Sequence, residues 1–204
     1  MAKTVAVAMA GEAEFDLGTR AAAARAIING TRGDDRLEGS DGADTINGNA
    51  GDDRLEGEDG DDVLNGGVGN DRLEADDGND RLDGGLGNDS LEGDSGRDRL
   101  VGGFGDDQLD SGDDADVLTG GRGADTFIFD EGDGRDRITD FTRVDTIRFD
   151  VSDDIDDNDA PRSFDDLRIS QIEGATRIAY GNDGVILLEG VSVNQVTEAQ
   201  FVFT

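Results

Sequence analysis

Aspartate occupies every ninth position of this chain over a long stretch: Asp35, Asp44, Asp53, Asp62, Asp71, Asp80, Asp89, Asp98, Asp107, Asp116 and Asp125. No insertion interrupts the series. Carboxylates are hard oxygen ligands, the kind that Ca²⁺ and Mg²⁺ take in preference to nitrogen or sulfur. These eleven residues are the candidate metal ligands. Other chemistries fail on residue type. The chain has no cysteine and no histidine, so it lacks the usual zinc site, a histidine-based triad, a cysteine nucleophile and any disulfide framework. A metalloprotease helix needs two histidines, and no Gly-x-Ser-x-Gly elbow is present. Paired carboxylates also serve glycoside hydrolysis, but aspartates in strict register are better explained as ligands. No catalytic residue is expected, and the chain is read as a non-enzyme.

The elements that must position these aspartates are short. Written in nines from residue 30, the segment reads GTRGDDRLE, GSDGADTIN, GNAGDDRLE and onward through eleven units to residue 128. The sixth position is always Asp, and the eighth is always apolar, from Leu37 and Ile46 to Phe127. The fourth is Gly except at Asp114, and the first is Gly except at Ala75 and Ser111. Glycines there, with Gly, Asn or Asp at many second positions, supply positive φ and close backbone approach in a tight turn. The last three residues suffice for one short strand with its central side chain inward. A turn and a strand, repeated, wind the chain into a coil of stacked parallel strands. Arg36, Arg54 and Arg72 stand two positions before Glu38, Glu56 and Glu74, which predicts weak surface ion pairs.

Composition by itself points elsewhere. At 204 residues, 34% hydrophobic and a net charge of −32, the chain has the profile of a disordered acidic polymer. That charge excludes a nucleic-acid binder that tracks phosphates, and it opposes binding to anionic lipid or to acidic glycans. No stretch is long and apolar enough for an integral membrane span.

The nonapeptides resemble the Gly-Gly-x-Gly-x-Asp-x-U-x unit of the RTX (hemolysin-type) calcium-binding repeat proteins. The resemblance implies an all-β fold, a parallel β-roll (a right-handed β-solenoid), with six residues of each unit in a metal-binding turn and three in a strand. It implies that each ion sits between turns n and n+2, so that Asp35 pairs with Asp53, Asp44 with Asp62, and so on to Asp107 with Asp125. Backbone carbonyls of the turns would complete six oxygens. Eleven turns give up to nine Ca²⁺ sites, with Asp98–Asp116 weakened by Asp114 but not lost, because Asp tolerates the left-handed conformation. The repeat segment carries 29 acids and 8 arginines, a net of −21, and nine Ca²⁺ would offset most of it. One inward apolar residue per nine is too little to order the chain against this repulsion. Metal binding and folding are therefore expected to be coupled, with an unfolded metal-free chain and a β-rich calcium form.

Three regions are expected: an N-terminal extension at 1–29, the roll at 30–128, and a C-terminal capping and secretion-signal region at 129–204. Residues 5–10 form an apolar run too short for a secretory leader. Residues 19–28 read as a short helix or cap, with Ile28 in the inward frame of a starter strand. After the roll, residues 132–141 form an imperfect unit shifted by two, with Asp136 and Asp140 as extra candidate ligands, and residues 150–159 form an acidic linker. Strands are expected near 167–172, 176–180 and 184–189, then a helical or turn piece near 192–199 and an apolar end at 201–204. This tail resembles the C-terminal region of serralysin-type proteins and the uncleaved signal of type I secretion substrates. The resemblance implies a chain threaded unfolded through the secretion machinery and folded by Ca²⁺ outside the cell, secreted and extracellular. The expected role is structural, in a matrix or at a surface. Alternatives are a repeat-and-secretion module serving a separate effector enzyme, since little precedes the repeats here, and a module that binds matrix or surface polysaccharide.

Overall fold

The structure, a computed structural model, describes residues 14–15, 25–130, 133–150, 161–182 and 184–204. Readings of residues 5–10, of most of 19–28 and of nearly all of the acidic linker fall outside these residues. The fold is all-β. As far as Thr146–Phe149, successive strands alternate between two sheets, one of nine strands and one of ten. Within the repeats every pairing is parallel and joins residue i to i+18, as in Leu37↔Leu55 and Leu82↔Leu100. One turn of the coil is therefore two nonapeptides. Odd-numbered units place their strands in the nine-stranded sheet and even-numbered units in the ten-stranded one.

The eighth position lines the interior as its periodicity predicts. Leu37, Ile46, Leu55, Leu64, Leu73, Leu82, Leu91, Leu100, Leu109, Leu118 and Phe127 are each no more than 1% exposed. The starter strand forms at Ile27–Asn29 and pairs with Thr45–Asn47, so the end of the stretch expected to be helical is extended. Its Ile28 is buried.

The strands are not all as short as the repeat suggests. Those of the nine-stranded sheet span three residues within the repeats, such as Arg54–Glu56 and Arg72–Glu74. Those of the ten-stranded sheet run for six, as in Val63–Val68, Arg81–Leu86 and Arg99–Phe104. The extra residues belong to the next unit. Its opening Gly-Gly pair keeps the backbone in the ladder, Gly67↔Gly85↔Gly103↔Gly121. Three of the five units that follow the short strands carry an acid at the second position, and Glu58, Asp76 and Asp94 turn there into the left-handed region, at φ 69, 68 and 61°.

Beyond the repeats the coil continues with a wider step. Arg135–Ile138 stacks on Val117–Leu118, and Thr146–Phe149 on Thr126–Phe129, each at an offset of 20. The C-terminal strands then close the structure. Gly184–Glu189 joins Arg135–Ile138 in parallel, and Ala175–Tyr180 and Arg168–Ile172 extend that sheet antiparallel. Two 3₁₀ turns, Val193–Gln195 and Glu198–Gln200, lead to Phe201–Phe203, which pairs with Ile147–Phe149. Phe129, Phe149, Tyr180 and Phe203 meet here, with ring centroids of Phe149 and Tyr180 4.8 Å apart.

Candidate metal centre

Every predicted aspartate lies on one of two ladders, one along each turn edge of the roll. The first holds Asp35, Asp53, Asp71, Asp89, Asp107 and Asp125; the second holds Asp44, Asp62, Asp80, Asp98 and Asp116. All eleven are buried, at 1–5% exposure. Each rung has the same bond: the backbone N–H of one aspartate donates to Oδ1 of the aspartate one turn later. Distances run from 2.6 Å for Asp44→Asp62 and Asp62→Asp80 to 3.1 Å for Asp107→Asp125. The neighbours that the sequence pairs at eighteen-residue spacing are the ones that meet.

That bond uses one carboxylate oxygen. The other, Oδ2, is buried and without a hydrogen-bond donor in Asp53, Asp62, Asp71, Asp80, Asp89, Asp98, Asp107 and Asp116. A buried anionic oxygen left this way is costly unless a cation meets it. The surroundings are acceptors. A Cβ built on Gly66 would lie 2.5 Å from Asp71 Oδ2 and 2.7 Å from the Gly84 carbonyl oxygen. The first glycine of each unit thus leaves a small cradle open between a carboxylate and a carbonyl of the next turn. Ala75 and Ser111 put a real Cβ at this position in the units of Asp80 and Asp116. The fourth glycine answers a different need: at Gly87, φ is 135° and a Cβ would strike the carbonyl oxygen of Gly69. Asp114, in the place of such a glycine, adopts φ 83°, and the ladder passes through it, with Asp98→Asp116 at 2.7 Å.

Burial and neighbouring carboxylates raise the pKa values along both edges. Asp53 and Asp71 are pushed up to about 6, and Asp62, Asp80, Asp98, Asp107 and Asp116 to about 7. Desolvation is the main cause, and for most of them the adjacent rungs add to it, as Asp80 and Asp44 do for Asp62. Buried oxygens without donors, beside carbonyls and held close together, fit a hard divalent cation.

The ladders are longer than the repeats. Asp136 continues the second, accepting from the Asp116 N–H at 3.0 Å; it is fully buried, with Oδ2 lacking a donor. Asp145 continues the first, accepting from the Asp125 N–H at 3.1 Å. Asp140 plays another part. Its two oxygens accept from Gly120 and Gly121 N–H, so it caps a turn and stands off the ladder. Sequence reasoning missed Asp145 because the step there is 20 residues. The signal was present: Asp145-Thr-Ile-Arg-Phe echoes Asp125-Thr-Phe-Ile-Phe.

Fold and site together define a parallel β-solenoid with ladders of buried carboxylates along its turns. A family model described as the RTX calcium-binding nonapeptide repeat, four copies, matches residues 29–64, 56–91 and 92–127. The repeat segment belongs to that family, and its repeats are Ca²⁺-binding. No curated protein matches the chain. Among solved structures, the extracellular lipase LipA from Serratia marcescens aligns with 91% of this chain at 19% identity and a TM-score of 0.46. The chain spans 41% of the length of that lipase. Among the described residues no helix is long and apolar enough to cross a membrane.

Proposed function

We propose that this chain is a secreted protein, exported unfolded and folded outside the cell by several Ca²⁺ ions bound between successive turns, and that its role is structural and non-catalytic. The observation that carries this reading is the row of buried Oδ2 atoms without donors. Each would be held to an ion together with a turn carbonyl, and the ion supplies the positive charge that these turns need to stack. Asp35 to Asp125 give nine pairs, and Asp136 and Asp145 raise the number to eleven. Dissociation constants of about 10⁻⁴–10⁻³ M, typical of extracellular modules, would leave the chain open in the cytosol and folded outside. Type I export suits a chain with that property and a tail like this one.

Calorimetric titration with Ca²⁺, run beside circular dichroism, tests the reading. It should show a transition from coil to β-structure with many ions bound per chain. A β-rich spectrum unchanged in excess EGTA, or only one or two ions bound, would overturn it.

A further inference from the structure

The net charge of −32 hides a local reversal. The arginines of the nine-stranded sheet are answered: Arg36, Arg54 and Arg72 pair with Glu56, Glu74 and Glu92 on the next turn, at 3.5, 2.9 and 2.9 Å. On the outward side of the ten-stranded sheet the reverse holds. Among the described residues, Arg81, Arg99, Arg135, Arg168 and Arg177 make no ion pair, and Arg137 alone is bridged, to Glu189 at 3.3 Å. From Arg81–Leu86 to Arg168–Ile172, the outward positions of these strands hold only two acids, Asp83 and Glu189.

The register sets these cations in a line. Arg81, Arg99, Val117, Arg137, Leu187 and Arg177 are successive cross-strand neighbours. A second line, two residues away, runs Arg135, Val185, Ala179 and Arg168. At about 4.8 Å between strands and about 3.3 Å per residue along them, the band is roughly 29 Å long and about 7 Å wide. Apolar side chains lie between the guanidinium groups. Beside the band, on the neighbouring turn edge, stand Asp77 and Asp113.

We propose that this face binds a slender acidic polysaccharide, laid across the strands, with its carboxylates on the arginines and its sugar faces on Val117 and Leu187. The chemistry requires guanidinium groups free to take carboxylates and a surface on which C–H faces of sugar rings can rest. A slim chain stays within the band. A nucleic-acid duplex or a bilayer is far wider and would be pressed against the acidic edge within a Debye length of about 8 Å. The face exists only in the folded roll, so the inference rests on the calcium-folding reading above.

The test uses the full chain in millimolar Ca²⁺, with hyaluronan as the probe and neutral dextran as its control. The triple variant Arg81→Ala/Arg99→Ala/Arg177→Ala should weaken hyaluronan binding by about tenfold or more. Arg36→Ala/Arg54→Ala/Arg72→Ala removes the same charge from the opposite sheet and should change binding less than about twofold. Equal loss in both triples would mean bridging by Ca²⁺ or bulk charge and overturns the proposal, as does tighter binding to duplex DNA or self-association that hyaluronan does not displace. Circular dichroism of each sample separates the two readings. A chain that stays unfolded in Ca²⁺ overturns the folding reading and this one with it, whereas a β-rich chain that ignores hyaluronan overturns this one alone.

Discussion

The repeat roll and the C-terminal strands share two continuous sheets but are stabilised differently. In the roll, each nonapeptide buries one aliphatic or aromatic side chain at its eighth position and one carboxylate at its sixth. In the C-terminal region the interior is aromatic and aliphatic, with Phe149, Tyr180, Ile178, Ile186, Leu188 and Phe201 buried together. The first arrangement leaves an unsatisfied anion at almost every turn. The second rests mainly on apolar burial, at about 1.5–3 kcal/mol for each large side chain, with the carboxylate ladders reaching only its first strands at Asp136 and Asp145. On the proposed reading, one continuous sheet passes from a segment whose folding waits for an ion to one held by apolar burial, with strand pairing continued across the join at a step of 20 residues instead of 18.

Metal removal tests that contrast most severely. In excess EGTA, far-ultraviolet circular dichroism should show loss of most β-structure, and restoring millimolar Ca²⁺ should return it. Retention of the full signal would mean that the roll, like the C-terminal region, stands on apolar burial. The sole tyrosine, Tyr180, reports the other side of the comparison, since its fluorescence follows the aromatic cluster directly.

Core substitutions come next. Phe149→Ala should cost about 3–5 kcal/mol in the presence of Ca²⁺, measured by denaturant unfolding. The effect should persist at saturating Ca²⁺, because no ion compensates for a cavity. Asp71→Asn should instead lower the Ca²⁺ affinity and the number of ions bound, with the loss in stability reduced as Ca²⁺ is raised. If the two variants responded alike to Ca²⁺, the division between the regions would fail.

Protons offer a milder substitute for the metal. The ladder carboxyls have values of about 6–7 in the metal-free fold, raised from 3.8 by burial. The folded chain therefore holds protons that the unfolded chain has released. That stabilisation is complete below about 4 and is lost as pH rises through 6–7. In EGTA, acidification from pH 7.5 to about 4.5 should recover part of the β signal in circular dichroism, and Ca²⁺ affinity should fall over the same range. An EGTA-treated chain whose spectrum did not change with pH would argue that carboxylate repulsion is not what keeps the roll open.

The smallest effect concerns the outer surface of the roll. Arg54→Ala removes the 2.9 Å contact with Glu74 and should change stability by less than about 1 kcal/mol in thermal denaturation.

The period of nine was legible in the residues, and with it the buried eighth position, the eleven carboxylates and the hard cation they suit. Local spacing suffices for these because each unit makes its own turn and points its own aspartate. The strand lengths were less legible. The repeat reads as three strand residues everywhere, yet the ten-stranded sheet takes six, since there the Gly-Gly or Gly-Asn opening of the next unit stays in the ladder. The surface ion pairs were expected within a strand, at Arg54 and Glu56. The shorter contact runs to Glu74 instead, on the next turn, with Glu56 at 4.0 Å.

The sequence by itself determined that this chain carries Ca²⁺-binding repeats and that a roll is the form those repeats take. Only the tertiary structure decided which side chains become neighbours. Contacts fall eighteen residues apart, so the odd or even place of a unit assigns its arginine to one sheet or the other. Arg54 meets a glutamate there, while Arg99 faces outward among other cations. Asp136 and Asp145 join the ladders by a twenty-residue step that the nine-residue frame does not contain. The physical reason is the same in each case. A repeat fixes the conformation of its own backbone, but the charge around a side chain depends on how many residues complete one turn of the coil.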